Sequence, residues 1–112
     1  QFGIALEAAG RDEDAEIAYR LTVARDGLTT DHGRRAGNNL GRLLARRGNL
    51  PEAVTLYRDL HEHYPDDPRV LRNLAVVLEH LGQIEESVRV RAELDERFPD
   101  YERTRLEPSV GP

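Results

Sequence analysis

The stretch NNLGRLLARRGNLPEAVTLYRDLHEHYP, residues 38–65, contains two apolar segments separated by a short polar break. Leucines recur every three or four residues up to Leu44, and the same spacing resumes from Val54 to Leu60. This period predicts two amphipathic helices. Between them, Gly48 can adopt the left-handed conformation that closes a helix. The stretch therefore predicts a helical hairpin.

The ends of the predicted helices carry local start and stop signals. Asn49 and Glu52 form an N-x-x-E pattern, whose two side chains can satisfy free amides at a helix start. Pro51 lies in that first turn, where a missing amide donor costs nothing. Pro65 ends the hairpin, and Asp67 supplies a cap for the next helix.

The same pattern returns 34 residues later in RNLAVVLEHLGQIEESVRVRAELDERFP, residues 72–99. Eight positions agree in chemical type: Leu40, Leu44, Gly48, Leu50, Ala53, Val54, Leu60 and Pro65 correspond to Leu74, Leu78, Gly82, Ile84, Ser87, Val88, Leu94 and Pro99. An earlier copy aligns at an offset of 38 residues, with Gly3, Leu6, Gly10, Ala15 and Tyr19 on Gly41, Leu44, Gly48, Ala53 and Tyr57. The extra residues fall in DGLTTDHGRR, residues 26–35, which we interpret as a longer loop.

The repeats predict an all-α fold with helices at residues 1–9, 12–26, 33–47, 51–63, 68–81 and 84–97. We expect one domain of three hairpins over residues 1–99, with repeats at 1–32, 33–66 and 67–99, and a tail at residues 100–112. The tail is expected to begin with a short helix over residues 100–106 that shields the last hairpin, as terminal units of repeat arrays do.

The second copy has the features of one known repeat: a Leu-Gly pair, a central glycine, a small residue, an aromatic and a closing proline, at Leu40, Gly41, Gly48, Ala53, Tyr57 and Pro65. Together with the 34-residue step, they resemble the tetratricopeptide repeat. The resemblance implies an α-solenoid of three antiparallel hairpins in a right-handed superhelix, each burying its apolar face on a neighbour. Gly37 stands where the family has a bulky aromatic. Ser87 and Arg91 replace Ala53 and Tyr57, so we expect a looser third hairpin or a polar terminal unit.

Composition limits the classes of function. The 112 residues carry a net charge of −5 and no Cys, so disulfides and thiolate metal sites are excluded. All 16 basic residues are Arg, which we attribute to a GC-rich, bacterial genome, and the absence of Met suggests a piece of a longer protein. No apolar run approaches the roughly 18 residues that span a bilayer. We expect no membrane association and a cytoplasmic protein.

The resemblance implies that partner peptides bind in a concave groove lined by the first helix of each hairpin. Residues 32–48 contain five Arg and no acid, and guanidinium and amide groups suit carboxylates. The expected partner is therefore another protein or peptide, acidic or bearing a terminal carboxylate; an ordinary solvated helix face is the open alternative. The predicted groove residues are Arg35, Asn38, Asn39, Arg42, Arg46, Arg69, Arg72 and Asn73.

Some tetratricopeptide proteins hold a terminal carboxylate with a clamp of basic and Asn residues. Asn39 and Arg69 fall on clamp-like positions, whereas Ile4 stands where an Asn is wanted and Asn73 where a base is wanted. We therefore do not expect a complete clamp. In the first copy, the groove-facing stripe includes Ile4, Glu7 and Ala8.

Catalytic patterns are absent from the sequence. His61 and His63 form an H-x-H on a predicted helix, where residues two apart point to different faces. Acids gather at helix starts, where they complement the helix dipole, and no phosphate-cradling glycine cluster occurs. We predict no enzyme activity, no cofactor and no metal site.

Two other functions remain open. Arg34, Arg35, Arg42, Arg46 and Arg47 could contact nucleic-acid phosphates, although the net charge of −5 and the lack of interleaved aromatics disfavour this. A homodimer could instead form through an exposed hairpin face, either at the start of the sequence or around Val88, Val90 and Leu94.

Overall fold

A computed structural model describes residues 2–101. This part of the chain has no strand and forms six helices: α1 (Phe2–Ala8), α2 (Asp12–Asp26), α3 (Asp31–Arg46), α4 (Leu50–His63), α5 (Pro68–Leu81) and α6 (Ile84–Arg97). The prediction of an all-α fold is confirmed, and each helix begins and ends within two residues of its predicted bounds. The predicted tail helix over residues 100–106 lies, beyond Tyr101, outside the described residues.

The helices pair in chain order into hairpin 1 (α1–α2), hairpin 2 (α3–α4) and hairpin 3 (α5–α6). Each helix packs on its neighbours along the chain, and α3 also contacts α5, which is the first helix of the following hairpin. The stack measures 37 × 36 × 26 Å. This stacked arrangement confirms the predicted helical-repeat solenoid, because no hairpin buries its apolar face alone. Within residues 2–101, no helix is both long and apolar enough to cross a membrane.

Helix ends are set by the residues that the sequence singled out, with one correction. Gly48 and Gly82 have φ values of 88° and 90°, the left-handed conformation that ends a first helix. Asp67 caps α5 by accepting the amide of Arg69 at 3.0 Å. Asn49 does not cap α4, because its side-chain amide donates to Glu52 Oε1 at 2.9 Å instead of binding the backbone.

The hairpins close through a glycine in the first helix and an aromatic in the second. A Cβ on Gly41 would lie 2.7 Å from the Tyr57 ring, and a Cβ on Gly3 would lie 2.5 Å from the Tyr19 ring. Both glycines therefore allow a ring to lie directly on helix backbone. In hairpin 3 the corresponding residues are Ala75 and Arg91. The first helix therefore carries a methyl group at this position where the second helix has no aromatic ring.

Hairpin 3 is closed by polar contacts. Ser87 is buried, and its hydroxyl donates to the carbonyl of Ala75 at 3.1 Å. Arg91 donates two hydrogen bonds to the carboxylate of Glu79, at 2.6 and 3.0 Å. These bonds satisfy the polar groups that replace Ala and Tyr, so both substitutions are accommodated within the hairpin.

The prediction of a longer loop over residues 26–35 is wrong, because only residues 27–30 separate α2 from α3, just as residues 64–67 separate α4 from α5. The extra residues lengthen α2 and α3 instead.

Leu28 in this short loop explains the absence of a bulky residue at Gly37. A Cβ on Gly37 would meet the Leu28 side chain at 2.8 Å, and Leu28 packs against the buried core. The loop between α2 and α3 thus supplies the apolar side chain that α3 lacks at this position. Tyr64 holds the loop in place by donating its hydroxyl hydrogen to the carbonyl of Leu28.

The face predicted for a homodimer is mostly covered. Leu94 is buried, and Val90 is partly buried against the core. Val88 is 60% exposed, together with Ile84 at 55%. The large exposed hydrophobic side chains of α6 therefore lie in the first turns of that helix.

Candidate functional site

A cleft of about 360 Å³ lies where the first helices of the three hairpins meet. We call it the first-helix cleft; its lining residues are Ile4, Arg35, Asn38, Asn39, Arg42, Arg69 and Asn73. Six of the eight predicted groove residues line it, while Arg46 and Arg72 lie outside its lining. The cleft exists because α1, α3 and α5 stack with equivalent faces on one side.

The central arginines of the cleft region are already bound to a carboxylate of the same chain. Arg42 grips Glu7 of α1 with two hydrogen bonds, Nη1 to Oε2 at 2.7 Å and Nη2 to Oε1 at 3.0 Å. Arg46 donates to Glu7 Oε2 at 2.9 Å and to Asp12 Oδ1 at 2.8 Å. Two cations thus meet two anions, and this cluster has no net charge.

Glu7 is the centre of this network. Its side chain is only 9% exposed, and it also accepts a hydrogen bond from the hydroxyl of Tyr19 at 2.8 Å. The hydrogen bond from Arg42 lowers the pKa of Glu7 against the opposing effect of burial. Burial, followed by the bond to Glu7, raises the pKa of Tyr19 to about 12. Glu7 is therefore held ionised and Tyr19 neutral.

The sequence indicated that Glu7 faces the groove but did not reveal its partners. Glu7 belongs to the predicted stripe of the first copy, while Arg42 lies 35 residues further along the chain. Their contact depends on how hairpin 1 stacks on hairpin 2, which no local pattern encodes.

The other arginines of the run from residue 32 to residue 48 are also matched by acids, with one exception. Arg47 binds Glu16 at 2.8 Å, and Arg34 lies 3.6 Å from Asp67. An acid-free sequence therefore does not produce an acid-free surface, because α2 and the loop before α5 supply the carboxylates. Arg35 is the exception.

Arg35, Asn38 and Asn39 form the polar set that is available in the cleft. Arg35 is exposed and forms no hydrogen bond or ion pair with a described residue. Asn38 Oδ1 is buried without a hydrogen-bond partner within residues 2–101. Asn39 forms no side-chain hydrogen bond within the same part of the chain. At spacing i, i+3 and i+4, all three lie on one helix face.

The positions that resemble a carboxylate clamp do meet in the cleft. Arg69 is directed to Asp67, with Nη2 at 3.3 Å from Oδ2. Asn73 accepts a hydrogen bond from Arg72 at 3.3 Å, and Ile4 offers only an apolar side chain, 47% exposed. The cleft therefore differs from a complete clamp in chemistry, although its residues converge in space.

A larger cavity, of about 560 Å³, lies on the outer face of hairpin 1. It is lined partly by the exposed side chains of Ile17 and Leu21. Its two arginines already pair with acids, Arg11 with Asp14 and Arg25 with Asp26. We take the smaller cleft as the candidate site because it holds a cation and amides that lack partners in the described part of the chain.

The histidines do not form a metal site in the described part of the chain. His61 Nε2 lies 3.6 Å from Glu93, while the Nδ1 atom of His63 contacts the carbonyl of Asp59 at 2.9 Å. The two rings therefore turn to different surroundings. No group of three or more candidate metal ligands occurs within residues 2–101.

Stacked helical hairpins with a cleft along their first helices define an α-solenoid repeat protein. Comparison with family models matches residues 34–77 and residues 68–93 to the tetratricopeptide repeat. The two matches together span more than half of the 112 residues, and the chain belongs to the tetratricopeptide repeat family. The family is typically a non-catalytic protein-interaction module. Curated proteins gave no significant match.

Proposed function

We propose that the protein binds a carboxylate-bearing segment of a partner protein in the first-helix cleft, with Arg35, Asn38 and Asn39 as the main contacts. The observation that carries the proposal is that these three adjacent side chains have polar atoms without partners among residues 2–101, whereas most other charged groups nearby are paired. Polar groups left unmatched in a recess are suited to a ligand that completes their hydrogen bonds.

The chemistry of the three side chains is complementary to a peptide end. A guanidinium group can hold a carboxylate with two parallel hydrogen bonds, and a side-chain amide can both donate to and accept from a peptide backbone. A hydrogen bond to a charged group contributes roughly 1.5–3 kcal/mol, which corresponds to about a tenfold or larger effect on affinity. Ile4, on the opposite wall, offers an apolar contact to a ligand side chain.

The test is a titration of the protein with an acetylated nonapeptide of Gly, Ser and Leu whose only acid is its C-terminal carboxylate, followed by NMR of the protein amides. We call this the one-acid peptide. We expect shifts at Arg35, Asn38 and Asn39, and a loss of at least tenfold in affinity for the C-terminal amide of the same peptide.

Arg35→Glu is expected to reduce affinity for the one-acid peptide by at least tenfold. The matched control is Arg89→Glu, because Arg89 is also an exposed arginine without a partner among the described residues but lies on α6, away from the cleft. Equal affinity of both variants, or binding of the amidated peptide as tightly as the free acid, contradicts the proposal.

Arg42 and Arg46 are less informative targets for mutation. A glutamate at position 42 would lie beside Glu7, so a loss of binding could result from a displaced α1. Arg69 and Asn73, already paired with Asp67 and Arg72, are proposed as supporting contacts. A ligand that reaches them must compete with those internal bonds.

The alternatives are weaker on the same geometry. For nucleic acid, four of the five arginines in the run have carboxylate partners, which reduces the positive field that phosphates require. An unchanged mobility of an RNA oligonucleotide at low salt excludes nucleic-acid binding.

For a homodimer, Ile84 and Val88 are the large exposed hydrophobic residues of α6. A constant monomer mass in light scattering excludes the homodimer. A bacterial, cytoplasmic origin is part of the proposal, and fractionation of source cells tests it.

A further inference from the structure

We propose that Glu7 determines the specificity of the first-helix cleft: it is an internal carboxylate that occupies Arg42 and Arg46, so a ligand carboxylate is accepted only at Arg35. The inference deepens the proposed function and rests on it. It rests equally on the hydrogen bonds of Glu7, which show an anion site filled by the chain itself.

The donors facing Glu7 are used almost completely. Arg42 commits both terminal nitrogens to the Glu7 carboxylate, and Arg46 divides its two between Glu7 and Asp12. A ligand acid arriving here would meet a neutral cluster and would have to displace a buried carboxylate. At Arg35, by contrast, no acid of residues 2–101 forms an ion pair.

Glu7 is fixed in place by the construction of hairpin 1. The Tyr19 hydroxyl donates to Glu7 at 2.8 Å, and the Tyr19 ring is buried against Gly3, where a Cβ would come within 2.5 Å. The equivalent of Glu7 in hairpin 2 is Ala45, which shows that an alanine is compatible with this position of the hairpin. Glu7→Ala is therefore a suitable variant for testing the role of the Glu7 carboxylate.

The spacing of the two cationic positions defines a probe. Arg35 and Arg42 are seven residues apart on one helix, which corresponds to about 10 Å along its axis. An extended peptide covers about that distance in three residues. The two-acid peptide is therefore the one-acid peptide with a glutamate three residues before its C terminus, so that its two carboxylates can reach both positions.

The experiment compares the two peptides on wild type, Glu7→Ala and Glu7→Ala/Arg42→Gln by NMR titration. Wild type is expected to bind both peptides within threefold of each other. Glu7→Ala is expected to bind the two-acid peptide at least tenfold more tightly than wild type does, with the one-acid peptide changed by less than threefold. Adding Arg42→Gln should abolish the gain.

The inference is overturned if Glu7→Ala binds both peptides as wild type does, or if the gain persists without Arg42. If circular dichroism shows that Glu7→Ala does not fold, the titration of wild type still tests the inference. A tenfold preference of wild type for the two-acid peptide would show that Arg42 receives ligand acids despite Glu7, and would overturn the inference. Absence of wild-type binding to the one-acid peptide overturns the proposed function, and the inference with it. Wild-type binding without the Glu7→Ala gain overturns the inference alone.

Discussion

Two acids of α2 pair with arginines of hairpin 2, whereas the equivalent positions at the junction of hairpins 2 and 3 are apolar. In α2, Asp12 binds Arg46 and Glu16 binds Arg47, each at 2.8 Å. The residues of α4 that correspond to these acids are Leu50 and Val54. Val54 is 6% exposed, and Leu50 packs against the core.

The difference shows that one stacking geometry accepts two kinds of chemistry. Burying an aliphatic side chain contributes roughly 1.5–3 kcal/mol, whereas an exposed ion pair contributes about 0–1 kcal/mol. In a repeat array the total stability is close to a sum over hairpins and junctions. We therefore expect the junction between hairpins 1 and 2 to be the weaker one, and the more sensitive to pH and salt.

The largest effect should come from placing an acid at the apolar junction. Val54→Glu would bury a carboxylate without a guanidinium partner, and an uncompensated buried charge costs about 3–5 kcal/mol. We expect a loss of that size in the free energy of unfolding, measured by urea denaturation and followed by circular dichroism.

The matched control for Val54→Glu is Val88→Glu, the same substitution at the equivalent position of hairpin 3. Val88 is 60% exposed, so the new carboxylate stays in water and stability should change by about 0.5 kcal/mol or less. Similar losses for both variants would mean that hairpin 3 does not cover Val54.

The same comparison shows what the sequence could predict. Helix bounds were accessible because glycine, proline and cap residues act locally and recur at fixed offsets, as at Gly48 and Gly82. The convergence of Asn39, Arg69 and Asn73 followed from the family resemblance together with the repeat register, which places equivalent first-helix positions side by side. Features that every repeat shares can therefore be transferred from one copy to another.

Contacts between hairpins were not accessible in the same way. The bond between Arg42 and Glu7, and the packing of Leu28 against Gly37, depend on side chains that occur only at the junction of hairpins 1 and 2. A second signal was misleading: residues 32–48 lack acids, yet the neighbouring helix provides them. Charge patterns along one helix do not predict the charge of a face that other helices share.

The second largest effect is expected when the pH is lowered, on amide hydrogen exchange in α1. The pKa values of Glu7 and Glu52 are lowered chiefly by hydrogen bonds from Arg42 and Arg20, both across the junction of hairpins 1 and 2. A lowered pKa stabilises the fold above the unfolded value, near 4.5, and this contribution is lost as pH falls through the folded value. We expect amides of α1 to exchange roughly tenfold faster at about pH 3.5 than at about pH 6, after correction for intrinsic rates.

Hairpin 3 is the internal reference for the acid experiment. The Glu79 carboxylate also has a lowered pKa, chiefly because of Arg91, but both residues belong to the same hairpin. Protonation of Glu79 should weaken the contact between α5 and α6 without weakening a junction between hairpins. Equal acceleration of exchange in α1 and α5 would contradict a pH-sensitive first junction.

The smallest effect concerns an ion pair that both junctions share. Arg20 binds Glu52 at 2.6 Å across the first junction, and Arg58 binds Glu86 at 2.8 Å across the second. The two pairs occupy equivalent positions. Because each arginine side chain is more than 40% exposed, Arg20→Gln and Arg58→Gln should each reduce stability by about 0.2–1 kcal/mol, and by less in 1 M salt. Urea denaturation at low and high NaCl measures the free energy of unfolding of both variants. A loss above about 2 kcal/mol for Arg58→Gln alone would mean that the second junction is held by charge rather than by Leu50 and Val54.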